Sequence, residues 1–135
     1  MNVGLEESDG KMIFKKANLI NFENLQLSLF YKGGFAREES MNIQDIIDYV
    51  YAEGKIYPKA EPLAEEDDEK NIEYKLKLVD HSIERIEHLT TQMKFRLEEG
   101  SGEAFYNLGY EDSGNPLGIC KEEVVFSLRN SFINF

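Results

Sequence analysis

The chain has 135 residues, a length that suits one domain of ordinary size and is too short for two. Hydrophobic residues make up 41% of it, and seven tyrosines and nine phenylalanines exclude a protein that is disordered throughout. The net charge of −11 opposes binding to nucleic-acid phosphates and anionic membranes, and a single cysteine excludes an internal disulfide and a cysteine-rich metal site.

The N-terminal stretch "MNVGLEESDGKMIF" carries acidic residues where a secretory signal has positive charge. No apolar run in the sequence reaches the length of about 20 residues that spans a bilayer. We therefore expect a cytoplasmic protein with no membrane partner and no direct nucleic-acid site.

Residues 1–57 form a poorly defined N-terminal segment, which we expect to be partly helical and partly disordered. The stretches "MIFKKANLI" and "NLQLSLFYKGGF" have the composition of short strands. Apolar residues at helical spacing predict one short helix near residues 41–53, with Ser40 as its N-cap and Gly54 as its stop.

Residues 58–70 are dominated by acidic side chains and contain two prolines, Pro58 and Pro62. Like charges at this density repel each other and favour an extended, solvated chain. The segment is therefore either an acidic linker or a charged surface loop, and neither interpretation makes it a binding site.

Residues 71–135 carry sharper signals, beginning with a strand. The stretch "NIEYKLKLVD" alternates between apolar and charged residues, which is typical of a half-buried strand. We expect one set of side chains to face the core and the other to face solvent: the first is Ile72, Tyr74, Leu76 and Leu78, and the second is Glu73, Lys75 and Lys77.

A helix, a second strand, a turn and a second helix follow this strand. Ser82 is the predicted N-cap of the first helix and Gly100 its stop. The helix has a core-facing stripe that consists of Ile83, Ile86, Leu89, Thr90, Met93 and Leu97. The strand "EAFYNLGY" has Ala104, Tyr106, Leu108 and Tyr110 on its inner face, "EDSGNP" has turn chemistry, and the second helix begins near Lys121.

This order of elements predicts an α+β fold for the chain. It matches an incomplete split βαβ (ferredoxin-like) sandwich, preceded by the N-terminal segment. Such a sandwich has a closing strand after its second helix, and the sequence ends at Phe135, soon after that helix begins. We therefore expect residues 71–135 to be a truncated β-α-β-turn-α domain.

The stretch "EEGSGEAFYNLGYEDSGNPLGICK" ends in glycines and a lysine and superficially resembles a phosphate-binding loop. A P-loop has the spacing Gly-x-x-x-x-Gly-Lys-Ser/Thr, which lets successive backbone N–H groups wrap the phosphates. Here Gly114 and Gly118 are one residue too close, and Lys121 comes too late. We expect these glycines to form turns.

Two further groups of residues have a composition or spacing that is found in binding sites. His81, Glu84 and His88 have a spacing that offers three ligands to a metal, but a solvated helix face is the favoured interpretation. Basic residues near the strand and helix ends, namely Lys75, Lys77, Lys94 and Arg96, are a weak indication of a positive patch for an RNA or an acidic partner. The chain contains no catalytic motif, and we predict no catalytic, cofactor-binding or metal-binding residue in it.

Phe95 stands out on the predicted first helix. It falls opposite the apolar stripe, on the face that carries His88 and Thr91. A large aromatic side chain in that place either packs against another part of the protein or is presented to a partner. His88, Thr91 and Phe95 are therefore our candidate interaction surface.

Four stretches of the sequence resemble a known family. They are "IEYKLKL" (Ile72–Leu78), "EHLTTQMKFRLEEGSGEAFYNLG" (Glu87–Gly109), "EDSG" (Glu111–Gly114) and "EEVVFSL" (Glu122–Leu128). This part of the chain resembles the N-terminal region of the GTP-binding protein 1 and 2 family, which are translational GTPases related to elongation factor Tu. The family commonly has tryptophan where this chain has Phe95, and the similarity ends after Leu128.

The resemblance implies a non-catalytic accessory domain that precedes a GTPase domain. In the family, GTP and magnesium are cofactors of that downstream domain, and no residue that holds them matches in this chain. The implied partners are the downstream GTPase domain in cis and the ribosome or translation factors, in translation elongation or ribosome surveillance. A stand-alone intracellular protein-interaction module with no nucleotide chemistry is the alternative.

Overall fold

The computed structural model describes residues 11–32, 42–76 and 83–134, and shows an α+β fold there, as predicted. Four strands and three helices lie within these ranges. In chain order they are β1 (Lys11–Leu19), β2 (Leu25–Lys32), α1 (Ile43–Val50), β3 (Ile72–Lys75), α2 (Ile83–Glu99), β4 (Glu103–Leu108) and α3 (Lys121–Asn134).

The four strands form one mixed sheet in the order β1-β2-β4-β3. β1 and β2 are an antiparallel hairpin, β2 pairs antiparallel with β4, and β3 pairs parallel with β4. The predicted strand-helix-strand unit is therefore β3-α2-β4, in which α2 supplies the crossover that a parallel pair requires. The strands that we expected in the N-terminal segment lie in the same sheet, with β2 directly beside β4.

Residues from both halves of the chain share one hydrophobic core. Leu27, Leu29 and Tyr31 of β2 are buried and lie opposite Leu108, Tyr106 and Ala104 of β4, so that one face of the sheet centre is apolar. The helices pack into the same cluster through the buried side chains of Ile46, Ile47, Val50, Leu89, Met93, Val124 and Leu128. The inner-face residues predicted for "EAFYNLGY" are all buried.

Helix α1 is shorter than predicted and has a different N-cap. It begins at Ile43, and Asn42 precedes it with its side-chain oxygen accepting a hydrogen bond from Asp45 N at 2.8 Å. The prediction of Ser40 as N-cap was wrong, because the helix begins two residues later than predicted and the side chain of Asn42 makes the capping hydrogen bond there. The helix ends at Val50 with Tyr51 as its C-cap, so the prediction of Gly54 as its stop was wrong. Gly54, with a φ of 83°, lies three residues beyond the cap, in a turn that Lys55 N closes by donating to the carbonyl of Ala52. Ser82, the predicted cap of α2, lies outside the described residues.

The acidic segment 58–70 is extended but lies against the domain. Ala60 N donates to the carbonyl of Leu19, and Leu63 N donates to the carbonyl of Gly114, at 2.8 and 2.9 Å. The Tyr110 hydroxyl donates to the Glu61 carbonyl at 2.9 Å. Backbone groups therefore hold the segment in place while most of its acidic side chains are in solvent.

No helix in the described ranges is both long enough and apolar enough to span a membrane.

Candidate interaction surface

The predicted surface residues lie on the exposed side of α2. His88 and Thr91 are exposed, and 40% of Phe95 is accessible to solvent. Leu89 and Met93 are buried on the opposite side, as the apolar stripe predicted, whereas the side chains of Ile83 and Ile86 lie outside the described residues. The spacing of three and four residues puts His88, Thr91 and Phe95 on one helix face. Their role in binding remains a prediction.

Arg96 is the centre of a buried polar cluster next to this surface. Only 4% of the residue is accessible, and its Nε donates to Glu73 Oε1 at 2.9 Å. Its Nη1 donates to the carbonyls of Asp67, at 2.8 Å, and of Lys70, while its Nη2 lies 3.5 Å from Glu66 Oε2. One guanidinium thus joins α2 to β3 and to the acidic segment.

The face of β3 that we expected in solvent is turned toward the helix. Glu73 is buried, and its second carboxylate oxygen lies 3.5 Å from Lys75 Nζ. The prediction that Glu73 faces solvent was wrong because Arg96 supplies a charge partner inside the protein, which the alternation pattern cannot show. Leu76, expected in the core, is 41% exposed.

These ion pairs also contradict the predicted positive patch. Arg96 and Lys75 are both paired with glutamates, so their charges are neutralised within the protein. Lys77 lies outside the described residues, and Lys94 is exposed. The described basic residues therefore do not combine into a positive surface at this edge.

Glu66 connects the acidic segment to the outer edge of the sheet. Its Oε2 accepts a hydrogen bond from Tyr74 N at 2.6 Å, so a carboxylate covers a backbone N–H of the edge strand β3. Burial raises the pKa of Glu66, and the nearby Glu73 and Asp112 act in the same direction. The bond from Tyr74 N and the charge of Arg96 act in the opposite direction without reversing the shift.

A groove of about 370 Å³ lies between α2, β3 and the acidic segment. It is lined by Glu66, Asp68, Glu73, Thr91, Gln92, Phe95 and Arg96. Three carboxylates against one guanidinium give the groove an excess of negative charge. The groove thus includes two of the three predicted surface residues, Thr91 and Phe95, while His88 is not among its lining residues.

The glycine-rich stretch turns the chain, as predicted, and its geometry does not fit a nucleotide phosphate. Gly114 and Gly118 have φ angles of 93° and 76°, which favour glycine. Gly114 N donates to the carbonyl of Glu111, and Gly118 N donates to the carbonyl of Gly109, at 2.8 and 2.9 Å. Backbone N–H groups that are bonded within the protein cannot wrap a phosphate.

The possible metal ligands on α2 are not brought together in the described structure. No group of three or more His, Cys, Asp or Glu side chains within residues 11–32, 42–76 and 83–134 is placed to hold a metal ion. Glu84 and His88 are exposed, and His81 lies outside these ranges.

Sequence reasoning missed the residues of the acidic segment and β3 that line the groove. A run of like charges usually is solvated, and Asp68 is exposed, as this predicts, whereas Glu66 is partly buried. One feature of the sequence points to this cluster. Arg96 directly precedes Leu97 of the apolar stripe, and a charged side chain that lies beside the core needs a partner if it is buried.

Over 67 residues, half of its length, the chain is 55% identical to GTP-binding protein 2 from human and from mouse. The chain resembles GTP-binding protein 2. The similarity confirms the predicted resemblance to this family, and the matched residues span 11% of the length of GTP-binding protein 2 in either species. The rest of GTP-binding protein 2 has no counterpart in this chain within the match.

Two other comparisons are negative. No family model matches the chain. No solved structure is significantly similar to it.

Proposed function

We propose that these residues form a non-catalytic accessory domain of a cytoplasmic GTP-binding protein, acting beside a GTPase domain in translation elongation or ribosome surveillance. The observation that carries the proposal is the 55% identity over 67 residues to a protein whose name states that it binds GTP. The rest follows from the family resemblance, which is an associational argument for function.

The accessory role is supported by the internal bonding of the glycine-rich turns. GTP and magnesium belong, in this proposal, to a GTPase domain elsewhere in the protein, and we assign no residue of this chain to them. The buried charges Arg96 and Glu73 pair with each other within the domain. This domain would contact the GTPase domain in cis, and the ribosome or a translation factor in trans.

The size of the natural product tests the proposal. An antibody raised against Ile72–Gly114 should detect in native lysate a protein much larger than 15.6 kDa. That protein, once purified, should bind a fluorescent GTP analogue with magnesium and pellet with ribosomes, while the 135-residue chain should not bind the analogue. A long product that binds no guanine nucleotide would contradict the proposal, as would nucleotide binding by the short chain.

A stand-alone protein-interaction module is the second candidate, and it is favoured by the exposure of Phe95 beside an acidic groove. This candidate predicts one native product of 15.6 kDa that is folded and monodisperse. The same immunoblot therefore separates the two functions.

A further inference from the structure

The turn between β1 and β2 presents a phenylalanine to solvent. Phe22 is 93% exposed, whereas such turns are usually built from glycine, asparagine, aspartate and serine. The side-chain oxygen of Asn21 fixes the turn by accepting hydrogen bonds from Glu23 N at 2.9 Å and from Asn24 N at 3.1 Å. Because the backbone that carries the ring is already ordered, little conformational entropy is lost when a partner covers the ring.

A second groove, of about 260 Å³, lies directly beside this ring. Phe22 is one of its lining residues, and the apolar side chains of Leu19, Val50 and Tyr57 form much of its wall. Next to Tyr57 in the chain, Ile56 is 90% exposed. Small-molecule sites usually have about 300–1,000 Å³, so this groove suits a single side chain. Contiguous exposed apolar surface of this kind marks a contact with another protein.

Two exposed residues of opposite charge, Glu23 and Lys55, also line this groove. Neither makes an ion pair with the residues that the structure describes. The Lys55 Nζ atom lies 3.5 Å from the centre of the exposed ring of Tyr49, where a carboxylate from outside can approach it. A surface that has both signs of charge beside one groove is complementary to a second surface with the same arrangement.

We propose that the occupant of this groove is a second copy of the chain, in a twofold-symmetric dimer. Phe22 of each copy enters the groove of the other, and Glu23 of each copy pairs with Lys55 of the other. A twofold interface uses the same patch on both subunits, so the patch has to contain both members of every contact. This patch contains a projecting ring with a groove, and a carboxylate with an ammonium.

The size of the patch predicts a weak dimer. A phenylalanine side chain buries about 150–250 Å². Even with Ile56 included, the contact belongs with the small interfaces of less than about 1,200 Å² that transient complexes use. The net charge of −11 on each copy opposes association further. We therefore expect a dissociation constant on the order of 10–100 µM. The dimer does not depend on the proposed role beside a GTPase domain.

Sedimentation equilibrium of the full chain at increasing concentration tests the dimer. The weight-average mass should rise from 15.6 kDa toward twice that value. Phe22→Ser should weaken the association at least about tenfold, because a central aromatic residue dominates a small interface. The control is Leu76→Ser, which changes a 41% exposed apolar residue outside the groove and should leave the association unchanged. Equal urea midpoints for the two variants show that both are folded.

Charge reversal shows whether the contact runs between two copies. Glu23→Lys gives a chain with two positive charges at the groove, and Lys55→Glu gives one with two negative charges. Each variant alone should associate about three- to tenfold more weakly than the wild type. An equimolar mixture should regain association close to that of the wild type, because each variant then meets the opposite charges on the other.

Three results would each overturn the proposal. The first is a mass of 15.6 kDa at every concentration up to about 500 µM, well above the expected dissociation constant. The second is association of Phe22→Ser that equals that of Leu76→Ser. The third is a mixture of the two charge variants that associates no more tightly than either variant alone. In any of these cases the groove and the ring do not join two copies of the chain.

Discussion

Arg96 connects three parts of the chain through one side chain. Its guanidinium contacts β3 through Glu73, the acidic segment through two carbonyls and Glu66, and it is carried by α2. Charges that are buried in this way are tolerated because each has a partner of opposite sign or a carbonyl dipole. The cluster of Arg96, Glu73 and Glu66 as a whole therefore adds little to the net stability of the fold. Removing one member is costly, because it leaves the other charges buried without it.

Replacing Arg96 should be strongly destabilising. In Arg96→Met, two largely buried carboxylates and two carbonyls lose the guanidinium, so we expect a loss of about 3–5 kcal/mol in the free energy of unfolding. Equilibrium urea unfolding measures it. The control is Lys94→Met on the exposed side of the same helix, for which we expect a change within about 0.5 kcal/mol. Similar midpoints for the two variants would contradict the assignment of Arg96 as a buried charge partner.

Two neighbouring tyrosines differ in how their hydroxyls are satisfied. The Tyr57 hydroxyl donates to the carbonyl of Val50 at 2.8 Å. The Tyr51 hydroxyl is buried and has no hydrogen-bond partner in the described structure. Burial raises the pKa of Tyr51 to about 12, and the nearby Cys120 acts in the same direction.

The two tyrosine-to-phenylalanine changes should have opposite signs at neutral pH. Tyr51→Phe removes an unsatisfied polar group and should be neutral or stabilising by up to about 1 kcal/mol, whereas Tyr57→Phe should cost about 1 kcal/mol. Because the folded pKa of Tyr51 lies above its ordinary value of 10.0, ionisation opposes folding, and stability falls as pH rises from 10 to about 12. Tyr51→Phe should reduce that alkaline loss, and denaturant unfolding at pH 7 and 11 checks both statements.

At the scale of elements, the acidic segment works as a cover for the edge of the sheet. β3 is an edge strand, and Glu66 accepts the outward N–H of Tyr74 while the Tyr74 hydroxyl donates to the Ala64 carbonyl at 2.8 Å. An uncovered edge strand is a template for unwanted pairing, and a charged segment that occupies it prevents this. The repulsion between the acidic side chains, on which the prediction of a linker was based, is offset at Glu66 by the positive charge of Arg96.

The raised pKa of Glu66 predicts an unusual pH dependence for this contact. A carboxyl whose pKa is higher in the folded state takes up a proton on folding, so its contribution to stability is present near pH 4.5 and declines as pH rises through its folded pKa. The unfolding free energy of the wild type minus that of Glu66→Gln should therefore decrease between pH 4.5 and pH 7. Urea unfolding at these two pH values measures the difference, and an increase would show that the charge of Arg96 outweighs burial.

At the scale of the whole molecule, the two halves of the chain depend on each other. β2 lies between β1 and β4, and its residues Leu27 and Leu29 are fully buried against β4. Without the N-terminal half, β4 would present an open edge and an apolar face to water. The predicted domain 71–135 lacks these partners when it is expressed alone.

A fragment of residues 71–135 should therefore fail to fold cooperatively. We expect dispersed amide signals in the full chain and collapsed ones in the fragment, with no sigmoidal urea transition. Mixing the fragment with residues 1–70 should restore part of the dispersion, because the hairpin completes the sheet. A cooperative transition in the isolated fragment would show that residues 71–135 are an independent domain.

Local patterns in the sequence determined which segments are helices, strands and turns. Alternation identified the inner face of β4, the period of 3.6 identified the buried side of α2, and the glycines at 114 and 118 identified turns with positive φ. These features depend on neighbours along the chain, which a single sequence displays. The exposure of Phe95 followed from the same periodicity.

The tertiary structure alone decided which charges are buried and which strands are neighbours. Glu73 and Arg96 are 23 residues apart and Glu66 lies in an acidic run, so no spacing shows that they meet around one guanidinium. The placement of β2 beside β4 likewise depends on contacts between segments separated by most of the chain. Partners that are distant in sequence determine the groove, because a charge goes inside a protein only where the fold brings it a counter-charge.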